Sequence, residues 1–102
     1  MRIIKERFLR EAADRYPRAA KFLAAWVVTV RAARWRNLAE LRQAYASAGQ
    51  VLVTSRRPVI VFNVCGNSYR LIVAIHFDHQ TAYTLRFLTH AEYSKDRWKD
   101  EL

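Results

Sequence analysis

Apolar residues recur with helical spacing through the first part of the chain and in alternation after Gly49, so helices come first and a sheet follows. Ile3 and Ile4 form a short apolar pair that fits a strand. Phe8, Leu9, Ala12, Ala13 and Tyr16, with charges between them, predict a helix over roughly residues 5–15. Pro17 suits the first turn of a second, longer helix, which Phe22, Leu23, Trp26, Val27 and Val30 carry on to Ala33. Asn37 followed by Glu40 marks the start of a short third helix, ending near Ser47-Ala48-Gly49.

Beyond Gly49, β-branched and aromatic residues crowd Val51–Val53, Val59–Val64, Tyr69–Phe77 and Ala82–Leu88. Gly66-Asn67 and Asp78-His79-Gln80-Thr81 are turn-formers between these runs, which predicts an antiparallel meander of three or four strands. The expected class is α+β, with N-terminal helices on one sheet face and the other face open to a ligand. Thr89-His90-Ala91-Glu92 reads as a capping box that starts a short C-terminal helix with His90 in its first position. With 102 residues and no linker or repeat, the chain reads as one unit with a small core and no deep substrate pocket.

Charge narrows the class of partner. Eighteen Lys and Arg face nine Asp and Glu, a net +9, and fourteen of the cations are arginines, whose planar fork matches phosphate. No acidic residue falls between Glu40 and Asp78, while Arg42, Arg56, Arg57 and Arg70 do, so a polyanion is expected along that window. Cys65 is the only cysteine, which excludes an intramolecular disulfide and a cysteine metal cage, and the chain reads as cytoplasmic. No apolar run is long enough to cross a bilayer, so no membrane partner is expected.

Most enzyme classes lack their motifs. The three histidines, His76, His79 and His90, have no metal-ligand spacing, two glycines cannot build a phosphate loop, and no nucleophile elbow is present; neither metal nor cofactor is expected. Arg70, Arg86, His90, Tyr93 and Lys95 remain, a set suited to cutting RNA through its own 2′-hydroxyl with a base, an acid and cations on the phosphate. His90 and Tyr93, three apart, share a helical face, and a helix N-terminus favours a neutral imidazole. Each residue also has a plainer reading: His90 as an exposed residue beside a cap, Tyr93 as half-buried packing, and Arg70 as a side chain snorkelling from an apolar strand or paired with an acid. Thr89 and Glu92 are assigned to capping. The further RNA-binding candidates are Arg56, Arg57, Asn67, Arg86 and Arg97.

Val61-Phe62-Asn63-Val64, then Gly66-Asn67-Ser68-Tyr69-Arg70-Leu71-Ile72, then Leu88-Thr89-His90-Ala91-Glu92-Tyr93 and Lys95, resembles the HigB toxins of the RelE/ParE superfamily. Trp35 and Asn37 ahead of a short helix, with Tyr45 after it, extend the likeness over most of the chain. The resemblance implies a RelE-like fold and a ribosome-dependent endoribonuclease, an mRNA interferase that cleaves mRNA in the ribosomal A site without a metal. It also implies a HigA-type helix-turn-helix antitoxin that neutralises the toxin and represses the operon, so that operator DNA is reached only through the antitoxin. Functional positions carry over to Arg70, His90, Tyr93 and Lys95, with Asn67 in the adjoining turn. Ser94 stands where the family often has Asp, and Arg86 holds no fixed register. A ParE-like toxin acting on gyrase, or a non-catalytic module binding RNA or ribosomes, is the alternative on the same fold.

Overall fold

The computed structural model describes residues 1–102. Five strands, β1 (Arg2–Ile4), β2 (Gly49–Leu52), β3 (Pro58–Val64), β4 (Tyr69–His76) and β5 (Thr81–Thr89), lie in the order β1-β5-β4-β3-β2. Strands β2 to β5 form the expected antiparallel meander, while β1 adds to its edge parallel to β5, with Ile3 opposite Ala82, and makes the sheet mixed. Leaving β1, the chain turns at Lys5 (φ 65°), and the buried Thr84 hydroxyl donates to the carbonyls of Ile4 and Lys5.

Helices α1 (Glu6–Arg15), α2 (Ala20–Ala32) and α3 (Leu38–Ala44) cover the first sheet face. Pro17–Ala19 form a 3₁₀ turn, so α2 begins three residues after the proline, and α3 ends at Ala44, ahead of the glycine. Leu9 and Ala12 of α1, Leu23, Trp26 and Val30 of α2, and Leu41 of α3 are the positions the helical period sends inward. They pack on Ile60, Phe62, Val64, Leu71, Val73 and Phe87, the alternate residues of the inner strands. Trp26 and Tyr45 both meet the Phe62 ring edge-on, with centroids 5.6 and 5.2 Å away.

The second face, which the alternation left open, is covered in part. A smaller cluster of Val53, Val59, Val61 and Ile72 is closed by the buried Trp98. The C-terminal segment that carries it is two short helices, α4 (His90–Ser94) and α5 (Trp98–Glu101), rather than one. Asp96 in the left-handed region (φ 60°) breaks the helix and folds α5 back onto the sheet. The loop between β2 and β3 holds it there: Thr54 N donates to the Lys99 carbonyl, Thr54 Oγ1 to Asp100 Oδ1 at 2.6 Å, and Ser55 Oγ to the Leu102 carbonyl.

Candidate active site

One corner of the second face gathers the residues with chemistry. The turn between β3 and β4 is tight, with Cys65 (φ 53°) and Gly66 (φ 66°) both left-handed, a conformation glycine takes without strain. Ser68 N donates back to the Cys65 carbonyl, and β4 starts at Tyr69. Strand alternation puts Tyr69 on the helix side, where its ring meets Tyr16 and Phe87 at 5.1 and 5.4 Å. Arg70 therefore falls on the second face, between Asn63 of β3 and Leu88 of β5.

Arg70 is 7% exposed and is the only buried charged side chain. Its Nη1 donates to the Tyr69 carbonyl at 3.0 Å and its Nη2 to Asn67 Oδ1 at 3.2 Å. Two of a guanidinium's five donors are thereby committed, both to neutral oxygens. No carboxylate pairs with it: Glu92 accepts from Thr89 N, Glu101 lies against Arg86, and Asp96 against Lys99. The Tyr93 ring covers the guanidinium at 5.3 Å.

Tyr93 is placed by α4. Thr89 Oγ1 accepts from Glu92 N at 3.2 Å and Glu92 Oε1 accepts from Thr89 N at 2.9 Å, the reciprocal capping box read from the sequence. His90 N donates to the Ser68 carbonyl at 3.0 Å, tying the start of α4 to the turn that holds Asn67. His90 itself is exposed. Behind Tyr93, the Trp98 ring stacks at 5.4 Å and 19°, and Trp98 Nε1 donates to the Tyr93 carbonyl at 3.1 Å. Trp98 escaped sequence reasoning; its signal was that it stands as the lone apolar side chain in the charged run Lys95–Glu101.

The fold thus gathers Arg70, Asn67, His90 and Tyr93. Lys95 and Arg97 are exposed beside them, in the bend between α4 and α5. Arg86 shares the second face one rung from Arg70, but its Nε is 3.4 Å from Glu101 and its Nη1 donates to the Leu85 carbonyl. Arg56 and Arg57 sit in the loop before β3, so the seven residues of that strand separate them from the corner by roughly 20 Å. His76 and His79 lie together at the β4–β5 turn, with ring centroids 6.5 Å apart, and no three metal-ligating side chains converge anywhere. Chemically, the corner offers uncommitted guanidinium donors under an aromatic ring, an exposed imidazole on the same helix as that ring, and free cations at its rim.

The HigB toxin family, described as the RelE-like toxic component of a toxin-antitoxin system, matches residues 19–96. That span contains Asn67, Arg70, His90, Tyr93 and Lys95 and stops short of Trp98. Relatives named mRNA interferase toxin HigB, from Escherichia coli strain K12, and mRNA interferase HigB, from Escherichia coli O157:H7 and Shigella flexneri, are each 28% identical over 93 residues, covering 91% of this chain and 88% of the relative. The chain, with its helices on a mixed sheet and its cationic corner under Tyr93, belongs to the HigB toxin family, the RelE-like toxic component of a toxin-antitoxin system.

Proposed function

We propose that this toxin is a ribosome-dependent endoribonuclease that cleaves translated mRNA by acid–base catalysis at the Arg70–Tyr93 corner. The observation that carries the reading is the buried guanidinium of Arg70, which has no carboxylate partner and keeps donors in reserve. A buried charge is ordinarily paired, and an uncompensated one costs several kcal/mol. A phosphate is the partner whose geometry the fork matches. The names of the relatives, mRNA interferases, point to the same chemistry.

In the proposed reaction the 2′-oxygen of the RNA attacks the adjacent phosphorus as its proton leaves to a base. The bond from phosphorus to the 5′-oxygen breaks, and that oxygen takes a proton from an acid. His90 and Tyr93 handle these two protons. Arg70 and Lys95 hold the added charge on the phosphorus oxygens, with Arg86 behind them because Glu101 already engages it. The attacking group belongs to the RNA, so the scheme uses no metal or cofactor. Asn67 orients the Arg70 fork, and Arg97, Arg56 and Arg57 extend the cationic track for the message. Residues 1–102 act as one toxin domain in the cytoplasm. A HigA-type helix-turn-helix antitoxin neutralises it and represses the operon, and operator DNA is reached only through that antitoxin.

The test is a purified translation system with a reporter mRNA, run with and without ribosomes and alongside a gyrase supercoiling assay. Cuts that appear only during translation, with supercoiling untouched, are expected. Intact transcripts with supercoiling blocked would turn the reading to a gyrase toxin, and intact transcripts with ribosomes bound would turn it to a non-catalytic module.

A further inference from the structure

Trp98 and α5 cover only part of the second sheet face. Beyond them, at the end of the sheet away from Arg70, lies a groove of about 550 Å3 walled by Val53, Val59, Ala74, Tyr83 and Leu85. Tyr83, 39% exposed, forms part of the wall, and the His76 ring meets it edge-on at 5.3 Å. Arg57 and His76 also line it. Of the acidic groups nearby, Asp78 accepts from His79 N, Asp100 from the Thr54 hydroxyl, Glu101 lies against Arg86, and Leu102, which also lines the groove, accepts from Ser55 Oγ. The groove is therefore an apolar slot with one cation, Arg57, in its lining. Its volume is that of a binding pocket, and Tyr and Arg are the residues that most often carry binding energy at protein interfaces.

We propose that this groove is the docking site for the antitoxin, which inserts a segment with large apolar side chains flanked by carboxylates. The proposal rests on membership of a toxin-antitoxin family and not on the nuclease reading. Two features favour a protein segment over RNA. The lining is mainly apolar, with seven hydrophobic residues among ten, where a nucleic-acid track needs cations along its length. The net charge of +9 also favours an acidic partner, whose carboxylates would meet Arg57, the outermost cation of the track proposed above for the message. Arg70 and His76 lie at opposite ends of the eight-residue β4, roughly 20 Å apart, so the docked segment fills a place separate from the catalytic corner.

Tyr83→Glu and His76→Glu each put a carboxylate into the slot, whereas Val28→Glu puts one on the exposed face of α2, on the opposite side of the molecule. Binding of each purified variant to the cognate antitoxin would be titrated, with thermal midpoints and mRNA cleavage measured on the same material. We expect both groove variants to lose about 30-fold or more in affinity, the effect of a hot-spot change. Val28→Glu should bind like the parent, and cleavage by the free groove variants should be unchanged. Because His76 is exposed, that variant decides the matter if Tyr83→Glu fails to fold. Groove variants that bind within about threefold of the parent would overturn the proposal, as would an equal loss from Val28→Glu, or lost ribosome binding with the antitoxin still held. A selective loss of antitoxin binding by the groove variants would sustain it even in a chain that cuts no RNA.

Discussion

Arg70 is a buried cation that no carboxylate of the fold pairs with. Its ring contact with Tyr93 is worth about 0.5–2 kcal/mol and its two hydrogen bonds to neutral oxygens about 1 kcal/mol each, against several kcal/mol for taking an unpaired charge out of water. Phosphate binding would supply what is missing, and an apolar side chain of similar length would remove the cost. Arg70→Met should therefore unfold at the same temperature as the parent or a few degrees higher while RNA cleavage and binding fall together, checked by thermal denaturation and cleavage on one preparation. A clear drop in midpoint would show that the guanidinium serves the fold. From sequence, Arg70 stood evenly between a functional role and a snorkelling or acid-paired one, because its setting is decided by Asn67, three positions back, and by Tyr93, on another element. Residue chemistry grouped Arg70 with Tyr93, and the family motif gave the same grouping, but neither showed the ring lying over the guanidinium. Trp98 was invisible as a support for Tyr93 because their contact requires the left-handed turn at Asp96, a conformation that an Asp does not announce.

At the scale of elements, helices before Gly49 and strands after it were legible because one face of each is buried, so the period of the apolar positions shows. The parallel pairing of β1 was not, since three residues show no period and the partner strand lies at the other end of the chain. Nor was the covering of the second face, whose key is a four-residue helix too short to carry a pattern. Caps were the most readable local feature, and α3 shows why. Asn37 Oδ1 accepts from Glu40 N at 2.9 Å, and the Glu40 carboxylate accepts from Arg36 N at 2.7 Å and from its Nη2 at 2.8 Å. Hydrogen bonds from the Arg36 side chain, and then from its backbone, hold the Glu40 carboxyl below its ordinary value near 4.5. A carboxyl lowered in the folded state adds stability that is present above the ordinary value and lost as pH falls through the folded one. In acid unfolding monitored by circular dichroism, Glu40→Gln should be less stable than the parent near neutrality, and the two should converge as pH drops below about 4.5. A gap that persists at low pH would assign the loss to packing and not to the charge.

At the scale of the whole molecule, 31 × 31 × 23 Å, the proposed function assigns approach to the +9 charge and contact to the corner. If the arginines neutralise phosphates, affinity for ribosomes should fall by about a thousandfold or more between roughly 50 and 200 mM salt. A flat profile would mean that the charge is not the means of attraction. The acid-free window was legible as a sum but not as a surface: it delivers Arg70 to the corner, while Arg56 and Arg57 go to the far end of the strand. The central claim is that His90 and Tyr93 act on protons rather than packing the corner. It is tested most directly by cleavage of a translated reporter mRNA by His90→Gln and Tyr93→Phe, both near-matched in size and both leaving the Thr89–Glu92 capping box in place. Each should lower the cleavage rate by about 10²- to 10⁴-fold, with ribosome binding and thermal midpoint kept. Parental cleavage rates in these two variants, or a loss only in step with stability, would contradict the account.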